Sequence, residues 1–299
     1  MSEISLFNDR LQHFHVNGVD IATRVGGTGP ALLLMHGHPQ SHAMWHKLWA
    51  RLTNRYTCVA IDLRGYGDSG MPADEPAGHE AFSKRTMAVD AVEVMRCIGY
   101  ETFGVLAHDR GARVAHRLAL DHAERIERMM LLDIAPTLDM YEGTTRGFAQ
   151  AYYHWFWLIQ PAPFPEKLIG ADPAFYLRSV MGGRHAGLAP FADRAMAEYE
   201  RCARHPHWAH AICEDYRAAA TIDLEHDRAD RDQGNRVDCP LRVLWGGKGV
   251  VGRYFDVLDL WRRQASQVDG RALDCGHYIA EEAPDALWAE IESFWPAAD

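Results

Sequence analysis

Short apolar runs punctuate the first half of the chain at residues 31–35, 57–61, 103–106 and 128–132, with helical periodicity between them. That alternation predicts a mainly parallel sheet with crossover helices. Ahead of it, residues 12–16 and 19–23 alternate as strands, and Asn17-Gly18 between them reads as a tight hairpin turn. The pattern changes from 137 to 227, where aromatic and helical stretches dominate and Pro161-Ala162-Pro163-Phe164-Pro165 interrupts them. A strand-like run at 241–245 restores the earlier alternation, and a helix over 285–294 follows. The expected organisation is an α/β core domain (1–136 and 228–299) into which a helical cap domain (137–227) is inserted. No internal repeat or low-complexity tract interrupts it.

The run at 103–106 leads into Ala107-His108-Asp109-Arg110-Gly111 and then a helical stretch at 114–120. Strand, sharp turn and helix make a nucleophile elbow: small residues at both ends let the turn close, so that the central side chain projects above the sheet edge. Here that side chain is a carboxylate. An ionised carboxylate can displace a leaving group from saturated carbon, giving an alkyl ester that water must then cleave. His36-Gly37-His38-Pro39 follows the run at 31–35, where this kind of fold supplies one backbone N–H of an oxyanion hole, and Arg110 supplies the other. Asp62-Leu63-Arg64-Gly65-Tyr66-Gly67-Asp68-Ser69, after the next run, resembles the DxRGxGxS loop of α/β-hydrolases and is expected to be structural. In this order, each just after a strand, the motifs resemble the α/β-hydrolase fold.

Composition narrows the setting. The chain has 299 residues, 47% hydrophobic and 24% charged, and a formal net charge of -10, which argues against nucleic acid or an anionic membrane as partner. Its six cysteines are scattered without CxxC pairs or metal-like spacing, and the opening Met1-Ser2-Glu3-Ile4-Ser5 lacks an export signal. A cytoplasmic protein without a metal or organic cofactor is expected. Acidity overall does not exclude an anionic substrate where arginines line a pocket.

Cleaving an aspartyl ester needs a base for water. His277 in Asp274-Cys275-Gly276-His277-Tyr278 fits by chain order, although 17 histidines give packing and surface roles ample weight. The loop after 241–245 reads Trp245-Gly246-Gly247-Lys248-Gly249 with no carboxylate, so Asp133, just past Leu131-Leu132, is the preferred acid to orient the ring. Arg110 and Arg113, three apart at a helix start, oppose the helix dipole and call for a compensating anion. Asp109 is one such anion, and two guanidinium forks can also grip a carboxylate in fixed geometry. A surface salt bridge is a plausible alternative for Arg113 alone.

The stretches Ala107-His108-Asp109-Arg110-Gly111-Ala112-Arg113, Leu132-Asp133-Ile134-Ala135-Pro136-Thr137, Tyr153-His154-Trp155, Gln160-Pro161-Ala162-Pro163-Phe164-Pro165-Glu166-Lys167 and Asp215-Tyr216-Arg217-Ala218 together resemble fluoroacetate (haloacetate) dehalogenases across nearly the whole chain. Arg110 separates this group from haloalkane dehalogenases and epoxide hydrolases, which usually carry tryptophan after the aspartate. The resemblance implies Asp109 as nucleophile, Asp133 and His277 as its triad partners, Arg110 and Arg113 on the substrate carboxylate, and His154, Trp155 and Tyr216 on the departing halide. It also implies a homodimer. Three N–H and O–H donors suit a strongly hydrated leaving ion. Spacing alone leaves His154 and Trp155 open, because Tyr152-Tyr153-His154-Trp155-Phe156-Trp157 also reads as cap core, and neighbours do not share a helix face. His38 departs from the usual aromatic of HGFPQ, and Ala107 from the usual glycine.

The expected activity is hydrolysis of short 2-halocarboxylates, haloacetate foremost, to the 2-hydroxy acid and halide. An epoxide hydrolase would use the same ester chemistry with Tyr216 and one of Tyr152, Tyr153 or Tyr176 as acids, but offers two arginines nothing to bind. A non-catalytic carboxylate-binding protein is the remaining alternative.

Overall fold

Asn17 and Gly18 both take positive φ, 48° and 74°, and the strands they join pair antiparallel as the alternation predicts: β1 (Leu11–Val16) and β2 (Val19–Gly26). The computed structural model describes residues 6–7 and 9–295, so the opening Met1-Ser2-Glu3-Ile4-Ser5 lies outside them. The four apolar runs form β3 (Ala31–Met35), β4 (Thr57–Ile61), β5 (Phe103–His108) and β6 (Ile126–Leu132). With β7 (Leu241–Gly246) and β8 (Val268–Leu273) they build an eight-stranded sheet in the order β1-β2-β4-β3-β5-β6-β7-β8. The pairs β1–β2 and β2–β4 are antiparallel; every pair from β4 on to β8 is parallel. β3, β4 and β5 are buried throughout, since helices cover both faces of a parallel sheet. Their loops at the carboxyl edge therefore converge at the centre of the molecule.

β8 has no counterpart in the predicted runs. Its sequence, Val268-Asp269-Gly270-Arg271-Ala272-Leu273, is largely exposed at the sheet edge and so lacks an apolar signal. Between β6 and β7 all regular structure is helical, from Thr137–Glu142 to Ile222–Gln233. A division at residue 227 cuts that last helix, whose Asp227 and Asp230 both pair with Arg117 of the elbow helix. The loop 62–69 is structural as expected. The Asp62 carboxylate accepts hydrogen bonds from His42 N–H (2.6 Å), His42 Nδ1 (2.9 Å) and Asp68 N–H (3.0 Å), which fastens the His36–Pro39 segment's neighbours to β4. All six cysteines are free, and among the described residues no helix is long and apolar enough to cross a membrane.

Candidate active site

β5 ends in His108, and the chain reverses at Asp109, whose φ of +47° lies in a region that a non-glycine residue occupies only under constraint. The constraint is close packing. A Cβ on Gly37 would lie 2.4 Å from Asp109 Cβ, and one on Gly111 would lie 2.4 Å from the His36 carbonyl oxygen, so only glycine permits the two loops to meet. The meeting brings the His38 amide to Asp109 Oδ1, to which it donates at 2.9 Å. Asp109 Oδ2 faces His277 Nε2 at 4.0 Å. On the other side of the ring, His277 Nδ1 is 2.5 Å from Asp133 Oδ2, and Gly246 N–H donates to Asp133 Oδ1 at 2.8 Å. The loop after β7 thus contributes an amide where other members of such folds place an acid. His108 Nε2 lies 2.9 Å from the His277 carbonyl oxygen and steadies the base from below.

Burial pushes the Asp109 carboxyl up, but the nearby His277, His108, Arg110 and Arg113 outweigh it and hold the group well below the usual carboxylate range. The carboxylate is ionised. Burial lowers His38 to about 3 and His108 to about 4, so both are neutral rings. His38 Nε2 lies 3.1 Å from the Tyr176 hydroxyl, which ties the residue that replaces the usual aromatic to the cap.

The two arginines differ, and the salt-bridge alternative weighed for Arg113 falls to Arg110 instead. Arg110, not Arg113, is the one ion-paired within the chain: its Nε and Nη2 each reach an Asp215 carboxylate oxygen at 2.8 Å. Lys84 and the Tyr66 hydroxyl hold the same carboxylate. Asp215 is therefore the main compensating anion, a role that Asp109 only shares. Arg113 is buried without a carboxylate partner among the described residues. Its Nη1 donates to the Ala135 carbonyl (3.2 Å) and Thr137 Oγ1 (2.9 Å). Arg110 Nη1 and Arg113 Nε are left buried without a hydrogen-bond acceptor, two guanidinium donors beside the nucleophile.

Trp155 Nε1 is buried and equally without an acceptor. Its ring lies under Arg113, 4.7 Å from the guanidinium, while Tyr216 lies 4.1 Å from that of Arg110. His154, Trp155 and Tyr216 come together, with His154 and Trp155 ring centroids 5.9 Å and 6.5 Å from Tyr216. His154 and Trp155 stay neighbours on one short helix, Tyr153–Leu158, which starts after a break at Tyr152 (φ −111°, ψ 35°); both are buried, and Tyr216 stands against both rings, so they meet by flanking it and not by sharing a face. The structure thus brings together Asp109, Asp133, His277, Arg110, Arg113, His154, Trp155, Tyr216 and the His38 amide. Sequence reasoning missed Lys84 and Arg184, and quoted Asp215 only as a motif neighbour of Tyr216. Arg184 follows the helix Pro173–Gly182 and lines a cavity of about 300 Å³ with His154, Lys248, Arg253 and His277. No patterned motif surrounds it. Among the described residues no group of His, Cys, Asp and Glu is disposed to hold a metal ion.

Residues 30–284 match the alpha/beta hydrolase fold family, and the chain belongs to the α/β-hydrolases. A fluoroacetate dehalogenase from Burkholderia sp is 43% identical over 90% of this chain and 88% of its own. A soluble epoxide hydrolase from Corynebacterium sp. (strain C12) is 32% identical over 90% and 91%. A structure from Nostoc sp PCC 7120 described as an alpha/beta hydrolase superposes with a TM-score of 0.94 at 50% identity, covering 98% of this chain and all (100%) of that one. Within its superfamily the chain is a member of the fluoroacetate (haloacetate) dehalogenase family, and it is a hydrolase.

Proposed function

We propose that this hydrolase removes halide from short 2-halocarboxylates, with haloacetate, fluoroacetate included, as the leading substrate. The observation that carries the reading is the pair of acceptor-less guanidinium donors, Arg110 Nη1 and Arg113 Nε, buried beside an ionised elbow carboxylate. They suit a substrate carboxylate, and holding it would set C2 in line with Asp109 Oδ2, a large part of the rate gain in such displacements. Oδ2 then bonds to C2 while the carbon–halogen pair leaves with the halide, received by the indole N–H of Trp155 with His154 and Tyr216. In the second step His277 Nε2 takes a proton from water as the water oxygen attacks Asp109 Cγ. Oδ1 becomes the oxyanion at the His38 amide, with Arg110 N–H as second donor. Collapse breaks the Cγ–Oδ2 bond, and the departing alkoxide takes the proton from the imidazolium as the 2-hydroxy acid.

The 43% identity to a fluoroacetate dehalogenase supports this reading, and the epoxide hydrolase at 32% keeps the ester chemistry common to both. An epoxide leaves the two guanidinium donors unused. Of the candidates for its second phenol, Tyr176 is engaged with His38 and Tyr153 is 51% exposed, which leaves buried Tyr152. Exposed Phe164, Leu168 and Phe175 on the cap support the homodimer reading, which molar mass in solution checks. The deciding experiment incubates the protein with fluoroacetate, chloroacetate and a simple epoxide, with Asp109→Asn as blank, and follows halide and diol. Halide is expected, with heavy oxygen from labelled water entering Asp109 in a single turnover. Diol without halide, or product with residue 109 unlabelled, overturns the proposal.

A further inference from the structure

Arg184 is a cation that the reaction above does not use. Its guanidinium sits 4.7 Å from the Tyr152 ring centroid, and its Nη2 is 3.4 Å from His154 Nε2, a long contact with a neutral ring. Among the described residues no carboxylate lies within ion-pair distance of it. Lys248, on the same wall, is by contrast already paired with Asp274 at 2.8 Å. The contacts run as a chain from Arg184 through His154 and Tyr216 to Arg110, so that two aromatic rings stand between the two guanidinium groups. The cavity of about 300 Å³ that it lines extends outward from His277, more room than a two-carbon acid needs, and no Asp or Glu lines it.

Resting on the placement of the first carboxylate proposed above, we propose that Arg184 binds a second carboxylate, so that the pocket takes 2-halodicarboxylates, 2-halosuccinate being a short example, in preference to monoacids of equal length. A guanidinium with no carboxylate partner among the described residues, in a wall that holds no competing carboxylate, gains a paired, directional contact from such a ligand that an alkyl tail does not provide. With one carboxylate on Arg110 and Arg113 and the other on Arg184, C2 stays over Asp109 and the halide side stays at Trp155.

The test uses unreactive ligands on a chemically silent enzyme. Asp109→Asn protein, with Arg184 intact or changed to Gln or Lys, is titrated calorimetrically with succinate and with butyrate. Succinate is expected to bind about tenfold or more tightly than butyrate. Arg184→Gln is expected to erase that margin while butyrate affinity stays within about twofold, and Arg184→Lys to keep part of it. Equal binding of the two ligands, or a loss in Arg184→Gln that is the same for both, overturns the proposal and leaves Arg184 a collector of any anion. Halide release by the wild-type enzyme from chloroacetate and 2-chlorosuccinate is measured alongside. An Arg184-dependent succinate preference without halide from either compound would sink the dehalogenase reading alone.

Discussion

Trp155 contributes two separable things, an aromatic face under Arg113 and an indole N–H without an acceptor. Trp155→Phe keeps much of the face and deletes the donor. Fluoride, the poorer and more strongly hydrated leaving group, is expected to lose about tenfold or more in turnover, chloride only a few-fold, as read by ion-selective electrodes on fluoroacetate and chloroacetate. At this scale the sequence was legible wherever a residue follows a strand. Asp109, Asp133 and His38 each follow a strand that an apolar run marks, whereas His277 follows β8, which carries no such run, and was legible by chain order alone. Arg110 was legible as a cation beside Asp109, but its partner Asp215 lies 105 residues away on the helix Trp208–Ala220, and no local spacing announces such a pair. That is also why the salt-bridge alternative was weighed for Arg113 and not for Arg110. Arg184 sits in a turn without periodicity, and only the folded cap shows what it faces.

Elements meet across the cap and core through buried polar contacts rather than through a continuous pattern, which explains what could and could not be read. Strong apolar runs gave the strands from β3 to β7, whereas the exposed edge strand β8 carried no such run. The helix Ile222–Gln233 runs through the expected cap boundary because its pairing with Arg117 is invisible along the chain. One such contact has a pH consequence. Glu281, on Ile279–Glu282, accepts from the Tyr199 hydroxyl of the cap helix Asp193–Ala203 at 2.5 Å, and burial pushes its carboxyl up to about 7. The folded protein therefore holds this proton more tightly than the unfolded chain does. The stability gained is fully present below the ordinary glutamate range and is lost as pH rises through 7, an effect on the order of 3 kcal/mol. Glu281→Gln is expected to flatten the dependence of melting temperature on pH between 5 and 8, with its disadvantage, if any, confined to the acid side. An unchanged slope in thermal scans would show that another group sets it.

The whole molecule carries a net charge of -10, yet the cavity leading to His277 is lined by Arg184, Lys248 and Arg253. An anion approaching an acidic surface is repelled except at that mouth, where the local field draws it in. For a haloacetate, kcat/KM is expected to fall as sodium chloride is raised from 10 to 300 mM, with kcat nearly constant, because screening acts on the approach and not on the chemistry inside. A neutral epoxide would show no such fall. The fold class was thus readable from one chain, and so was the meeting of Asp109, Asp133 and His277 at one sheet edge, since a fold of this type fixes where each loop must stand. Substrate choice belongs to side chains that converge from distant segments, and fold by itself does not assign it.

The His38 amide clasps only one of the two oxygens of Asp109. If that clasp outlasts each cycle, the clasped atom is a permanent spectator, while its twin departs in every product molecule and is renewed from solvent. In heavy-oxygen water the first product would then be wholly light and the second wholly heavy. A half-and-half second product, seen by mass spectrometry, would mean that the carboxylate swivels between rounds.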